Sequence, residues 1–207
     1  MSERSLRPYA LCGVIAPVLF AGLVAVEGSL VRGYSHVSQP ISDLGAYALY
    51  GSYALVQDAN FWIFGVLVVL LAFGLSRSPA GSRAITAPMG VFGAMIFLAG
   101  VFPDQPSPWP GAAHGLVSVA AFISIIASQF FAWRRWGRSG TEGAIWDSVS
   151  KFSAMTFALS VLMFILYGIL GQPGSAIGGL VQRVFLAVPW IWVEGVSVKF
   201  FRLQDRQ

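Results

Sequence analysis

Charged side chains are scarce in this sequence, with only 13 lysines and arginines and 9 aspartates and glutamates among 207 residues. Their share of 11% is far below the quarter or so that is typical of soluble domains, and they cannot cover a surface that faces water. The scarcity of charge therefore excludes an intrinsically disordered chain and a soluble globular enzyme.

Cysteine and histidine are nearly absent as well. The single cysteine, Cys12, excludes an internal disulfide and a metal cluster held by thiolates. The two histidines, His36 and His114, do not form an HxxxH or HExxH spacing. We therefore expect neither a bound metal nor a cofactor.

Hydrophobic residues are abundant: they make up 56% of the chain, and the mean hydropathy is +0.71. Six segments approach the 17 to 25 apolar residues or so that a helix needs to cross a bilayer. The sequence therefore predicts an all-α, polytopic membrane protein, a six-transmembrane-helix bundle that forms a single domain over residues 1–207. The predicted spans are Tyr9–Glu27, Ala54–Leu75, Ile85–Phe102, Ala113–Trp133, Phe152–Leu170 and Leu180–Val198.

The basic residues predict the orientation of these spans, because lysine and arginine near span ends are retained on the cytoplasmic side. One side has only Arg32 and Arg183, so we expect a multi-pass protein of the cell membrane with both termini cytoplasmic. Because the basic residues are spread over several segments beside the membrane, they indicate contact with anionic lipid and not with nucleic acid. The predicted inner side has eleven: Arg4, Arg7, Arg77, Arg83, Arg134, Arg135, Arg138, Lys151, Lys199, Arg202 and Arg206.

Most other ionisable residues fall on or near the predicted outer side. Asp58, Arg183 and Glu194 lie within predicted spans, where a charge is costly and should face a partner or a cavity. The outer group consists of Glu27, Arg32, His36, Asp43, Asp58, Asp104, His114 and Arg183.

Helical spacing places several of these residues on shared faces. Arg183, Ala187, Trp190 and Glu194 fall on one stripe of the sixth span. The second and fourth spans carry similar stripes, which begin at Asp58 with Trp62 and at His114 with Ser118, respectively. Together the three stripes predict a crevice that opens outward. An alternative is that Arg183 pairs with Asp43 or Asp104 and only holds helix ends together.

Short motifs on the outer side resemble a known family. The run Gln39–Gly45, with its proline and terminal glycine, predicts a single helical turn at the membrane surface. Together with Arg32–Tyr34, Gly100–Asp104, Gly111, His114–Gly115 and Gly178–Arg183, it resembles the membrane proteins grouped as domain of unknown function 998, DUF998. The resemblance implies a six-helix membrane bundle but no activity. The run ISDLG is also distantly similar to the first loop of the Frag1/DRAM/Sfk1 type, which hints at lipid handling.

Our first functional hypothesis is a membrane-embedded enzyme that acts on an isoprenoid or lipid substrate by acid catalysis. Terpene-cyclase-like chemistry requires a desolvated acid and aromatic faces that stabilise a cation, and aromatic residues make up 14% of this chain. Asp58 and Glu194 are the candidate acids, and His114 is a further candidate catalytic residue.

Five further residues are candidates for binding the substrate, with the two tryptophans as cation stabilisers: Trp62, Trp190, Arg183, Asp43 and Asp104.

Two alternatives remain open. The first is metal-assisted hydrolysis at His36, His114, Asp43 and Asp104 with Ser42 nearby, although two histidines are few for such a site. The second is a non-enzymatic protein for lipid binding, transport or assembly, in which the polar residues hold a headgroup or form a structural network. In each case we expect membrane lipids or a hydrophobic small molecule as partners.

Overall fold

Six long helices make up most of residues 6–105, 108–137 and 141–204, the ranges that the computed structural model of the protein describes. No strand occurs within these ranges, so the prediction of an all-α fold is confirmed. The helices are α1 (Arg7–Leu30), α2 (Ala54–Ser76), α3 (Arg83–Val101), α4 (Pro108–Trp136), α5 (Thr141–Leu170) and α6 (Gly178–Gln204).

Each of these six helices is long and apolar enough to cross a membrane, counted over the described ranges. The predicted spans coincide with the helices, but α4, α5 and α6 are longer because polar turns extend beyond the apolar segments that hydropathy detects. Three of the basic residues that we assigned to the inner side, Arg4, Arg138 and Arg206, lie outside the described residues.

The helices pack in chain order around a ring. Each helix contacts the next one along the chain, and α6 contacts α1, which closes the ring. Short connections make successive helices antiparallel, so the segment between α1 and α2 lies at the same end as the α3–α4 and α5–α6 connections. We call this end the loop end, and the opposite end, where α1 begins and α6 finishes, the terminal end.

The segment between α1 and α2, which we call the first loop, folds back onto the mouth of the ring. It contains a 3₁₀ turn, Ser42–Gly45, and one turn of α-helix, Tyr47–Tyr50. The predicted turn therefore exists, but it starts two residues after Pro40. Leu44 is completely buried, because the loop packs between the helix ends.

Candidate functional site

A cavity of about 520 Å³ lies inside the ring, toward the loop end. All six helices contribute to its wall, and Ile41 and Ser42 of the first loop cover it. Its volume is within the range of small-molecule sites, roughly 300–1,000 Å³. Most of the wall is apolar, and the aromatic members are Phe20, Phe61, Phe64, Phe122, Phe164, Tyr167 and Trp190.

Three packed aromatic rings form the deep part of this wall. The ring of Phe20 lies 4.6 Å from that of Trp190 and 5.3 Å from that of Phe64, measured between centroids, and Phe64 lies 5.6 Å from Trp190. These residues come from α1, α2 and α6, so the aromatic group joins three helices. Such a surface binds apolar chains and also stabilises a nearby cation.

The loop end of the cavity is polar, in contrast to the aromatic depth. Five lining residues there have polar side chains that are able to form hydrogen bonds: Ser42, Asp104, His114, Tyr167 and Gln182. We call this group the polar end. A hydrophobic molecule with one polar group would match this division between the two parts of the cavity.

His114 is held at the polar end by the last turn of α3. Its Nδ1 lies 2.8 Å from the carbonyl oxygen of Phe102 and 3.1 Å from that of Ala99. Because carbonyl oxygens only accept, Nδ1 carries a proton in these hydrogen bonds. His114 therefore forms hydrogen bonds with carbonyl groups at the end of α3 and also lines the cavity.

Gln182 ties the first loop to the polar end. Its Oε1 accepts a hydrogen bond of 2.5 Å from the backbone N–H of Ile41, and its Nε2 donates to the Tyr167 hydroxyl at 3.2 Å. One buried amide thus joins the first loop, α6 and α5. It fixes the position of the loop over the cavity.

Arg183, the next residue, holds the outer part of the same loop. Its Nη1 donates to the carbonyl oxygens of Gly179 at 2.9 Å and Gln39 at 3.0 Å. Its Nη2 donates to the Tyr34 hydroxyl at 2.5 Å and to Nδ1 of His36 at 3.0 Å. Arg183 forms no ion pair with Asp43 or Asp104, both of which are described. The guanidinium therefore binds neutral acceptors of the first loop.

Three titratable groups of the first loop have shifted pKa values. Burial and the neighbouring guanidinium lower the pKa of His36, which favours the neutral imidazole that accepts from Arg183. Burial raises the pKa of Tyr34 to about 12. Burial, followed by the charge of Asp104, raises the pKa of Asp43 to about 6. A carboxyl group that protonates in mild acid thus lies beside the polar end.

The cavity is open on one side, between α4 and α5. Val119 and Ile165 line it, yet 46% and 54% of their surfaces are exposed on the outside of the ring. Gly115 and Gly168 also line the cavity, and a Cβ added to either would meet nothing within 4 Å. This side opening, formed by Gly115, Val119, Ile165 and Gly168, faces the surface that the helices present to lipid.

The family model of DUF998, described as a protein of unknown function, matches residues 14–199. This range includes nearly all of α1 to α6 and every residue that lines the cavity. The chain belongs to DUF998. It has no significant match among curated proteins or solved structures. The similarity to the Frag1/DRAM/Sfk1 type stays a prediction.

The motifs that resemble DUF998 lie around the polar end. In the run Gln39–Gly45, the carbonyl oxygen of Gln39 accepts from Arg183, and the backbone N–H of Ile41 donates to Gln182. Gly179 lets the loop approach α6, because a Cβ there would lie 2.2 Å from the carbonyl oxygen of Gln39. Motifs that lie far apart in the sequence therefore contact each other in the fold.

The structure brings together only some of the predicted site residues of this DUF998 chain. His114, Asp104 and Trp190 line the cavity. Asp43 follows the lining residue Ser42, and Arg183 holds the loop that contains it.

Asp58, Trp62 and Glu194 do not line the cavity. Asp58 is buried on α2 beneath Gly45 of the first loop, and Trp62 faces Phe97 of α3, with ring centroids 6.4 Å apart. Glu194 is half-buried, about 6 Å deeper along α6 than Trp190. The two acids that we proposed for catalysis are therefore not at this cavity.

Register and depth along α6 explain where its two charged candidates, Arg183 and Glu194, lie. The cavity face consists of Gln182, Leu186 and Trp190, at a spacing of four residues. Arg183 is turned by about 100° from Gln182 and lies beside this face, whereas Glu194 continues the four-residue spacing beyond Trp190 and lies too deep along α6 to reach the cavity. The sequence shows which residues share a face, but the direction of that face depends on the neighbouring helices.

Sequence reasoning missed Gln182 and Tyr167 at the polar end. Gln182 does carry a signal, because a neutral amide within an apolar helix needs a partner just as a charge does. Tyr167 carries none, since a tyrosine near a helix end is ordinary in a membrane protein.

Proposed function

We propose that this protein binds an amphiphilic isoprenoid or lipid, with its chain against the aromatic depth and its polar group at the polar end. The observation that carries the proposal is the division of one cavity into an aromatic part and a polar part beside a side opening. An apolar chain that leaves the bilayer through this opening stays in apolar surroundings, while its polar group meets partners.

The polar end favours a hydroxyl or another uncharged polar group over a phosphate. Its side chains include one carboxylate, Asp104, and neutral donors and acceptors. The nearby cation, Arg183, already donates to four acceptors of the loop and α6. A phosphate would therefore meet Asp104 without a free guanidinium.

Blocking the side opening tests the proposal. The variant Gly168→Trp places a large ring in a space that is empty around the glycine Cα. We expect binding of a tritiated long-chain isoprenoid alcohol to the purified protein to weaken at least tenfold, which corresponds to about 1.4 kcal/mol.

Gly22→Trp is the matched control, because Gly22 also has nothing within 4 Å of an added Cβ and lies on the outside of α1, away from the cavity. It should bind like the unchanged protein. The proposal would be contradicted if both variants weakened binding equally, or if neither variant changed it.

Acid catalysis on the bound molecule is a second candidate function, favoured by the Asp43 and Asp104 carboxyl groups beside the aromatic wall. A protonated carboxyl would donate its proton to an alkene of the chain, whose π electron pair would form the new C–H bond and leave a carbocation. The π electron pair of a second alkene in the same chain would then form the new C–C bond and carry the cation onward. The resulting cation would be stabilised by aromatic faces and would lose a proton to a base such as Nε2 of His114. The product would be an isomer, so the step requires no co-reactant.

The variant Asp104→Asn separates the two candidate functions. If the protein is an enzyme, this variant should keep most of its affinity for the isoprenoid alcohol and lose its conversion, measured by mass spectrometry of extracted products. Absence of conversion by the unchanged protein at any pH from 5 to 8 would leave binding as its function and reject catalysis with this substrate.

We also propose that the loop end faces outward from the cell membrane and that both termini are cytoplasmic. The uneven distribution of arginine and lysine supports this orientation. In a Cys12→Ala background, a membrane-impermeant thiol reagent should label Arg32→Cys in intact cells and leave Arg83→Cys unlabelled; the reverse pattern would contradict it.

A further inference from the structure

Two buried carboxyl groups, Glu27 on α1 and Asp58 on α2, lie outside the cavity, where these two helices pack together near the loop end. Glu27 and Asp58 are each only 3% exposed, and their charges interact. Both carboxyl oxygens of Glu27 and Oδ1 of Asp58 are buried without a hydrogen-bond partner among the described residues. Neither residue lines the cavity that we assign to the amphiphile.

A third unpartnered side chain lies next to them. Gln57 is fully buried, and both its amide oxygen and its amide nitrogen lack a hydrogen-bond partner in the described part of the chain. A Cβ placed on Gly45 would lie 3.1 Å from Oδ1 of Asp58 and 3.9 Å from Cγ of Gln57. Both side chains therefore pack directly beneath the first loop.

Among the described residues, no lysine or arginine forms an ion pair with Glu27 or Asp58. The first loop contributes the Tyr47 hydroxyl, which interacts with Asp58, and the ring of His36, which packs against Gly28 beside Glu27. The α4 helix contributes His114, whose Nδ1 is bound to carbonyl oxygens of α3.

On α6, Arg183 donates to the first loop and to its own helix. Asp43 of the first loop and Asp104 after α3 add further negative charge at this end of the ring. The pair therefore lacks the cation that two ionised carboxylates would need.

Burial of two carboxylates without such a cation is unfavourable, because an unpaired charge loses its hydration and two like charges repel. Binding a proton removes both costs for one group. It also supplies an O–H donor to a cluster whose orphan atoms are mostly acceptors.

We propose that Glu27 and Asp58 form a proton-binding site that holds at least one proton at neutral pH, with Gln57 as its third member. Because Asp58 lies beneath Gly45 and beside Tyr47, release of the proton places a negative charge directly under the first loop. The site thereby connects proton binding to the loop that covers the cavity.

Infrared spectroscopy of the purified protein tests this proposal, because a protonated carboxyl group gives a C=O stretching band distinct from that of a carboxylate. We expect such a band at pH 7, and we expect Glu27→Gln or Asp58→Asn to remove or shift it. Glu194→Gln is the control, since this half-buried carboxyl on α6 lies outside the pair.

A measurement without substitutions covers the case in which these variants do not fold. Glutamate labelled with ¹³C at the side-chain carboxyl should shift the band of the unchanged protein, and labelled aspartate should shift any remainder. The proposal is overturned if the spectrum at pH 7 lacks a protonated carboxyl band, or if only Glu194→Gln removes it.

Discussion

Arg183 stabilises the first loop through the shape of its guanidinium group as well as through its charge. Its two terminal nitrogens donate to acceptors on the first loop and on α6. A lysine keeps the charge but replaces the planar fork by one ammonium, which cannot reach these acceptors together.

We expect Arg183→Lys to lower the free energy of unfolding by about 2 kcal/mol, because acceptors of the buried loop lose charged donors. Thermal unfolding of the purified protein measures the change. Arg32→Lys, at an exposed position of the same loop, should unfold like the unchanged protein. Equal stability of the two variants would show that charge alone is sufficient at position 183.

Asp43, at the loop end, makes the free energy of unfolding depend on pH. Burial and then Asp104 raise the pKa of its carboxyl group from 3.8 to about 6 in the folded protein. The folded state therefore binds this proton more tightly than the unfolded state does. The stabilisation that proton binding contributes is complete below about pH 4 and is lost as the pH rises through about 6.

We expect Asp43→Asn to flatten the decline of the apparent melting temperature between about pH 4 and pH 6. Asp104→Asn should move the decline to lower pH, because it removes the carboxylate that raises the pKa of Asp43. Parallel melting profiles for Asp43→Asn and the unchanged protein would exclude this group as the cause.

Two glycines join α2 and α3 in a close contact between their backbones. A Cβ on Gly65 would lie 2.5 Å from the carbonyl oxygen of Gly93, and one on Gly93 would lie 2.7 Å from that of Gly65. Small residues allow helix backbones to approach in a membrane, where van der Waals packing replaces the hydrophobic effect between helices.

We expect Gly65→Ala to lower the free energy of unfolding by about 1–3 kcal/mol, because the methyl group meets backbone that cannot yield without a shift of α3. The same substitution at Gly22, which has open space around it, should be neutral or stabilising by up to about 1 kcal/mol. Thermal unfolding compares them, and destabilisation by both would contradict the packing argument.

The helices themselves could be predicted from sequence, because in a bilayer the apolar length of a segment nearly determines that it is a helix. The direction of each face could not. His114 and Trp190 line the cavity, whereas Arg183 lies one residue out of register with the cavity face of α6 and Glu194 lies deeper along the helix. Which side of α6 faces inward depends on contacts with α1 and α5, and periodicity alone does not contain these contacts.

At the scale of the whole molecule, the ring of helices encloses a cavity because its wall combines large aromatic side chains with glycines that leave space between helices. Phe20, Phe64 and Trp190 fill the centre below the cavity, whereas Gly115 and Gly168 leave space between α4 and α5. The order of helices around the ring decides which of these residues meet. A single sequence can indicate which residues line the wall, but it does not contain the order of the helices around the ring.

Photo-crosslinking tests the central claim most directly, namely that an amphiphile occupies the cavity with its polar group at the polar end. The probe is a long-chain isoprenoid alcohol with a diazirine near either its hydroxyl or its far end, and mass spectrometry locates the modified residues. We predict labelling near His114 and Tyr167 from the first position, and near Phe64 and Trp190 from the second. Labelling confined to the outer surface of the ring, at Ile15 or Phe73 for example, would contradict the account.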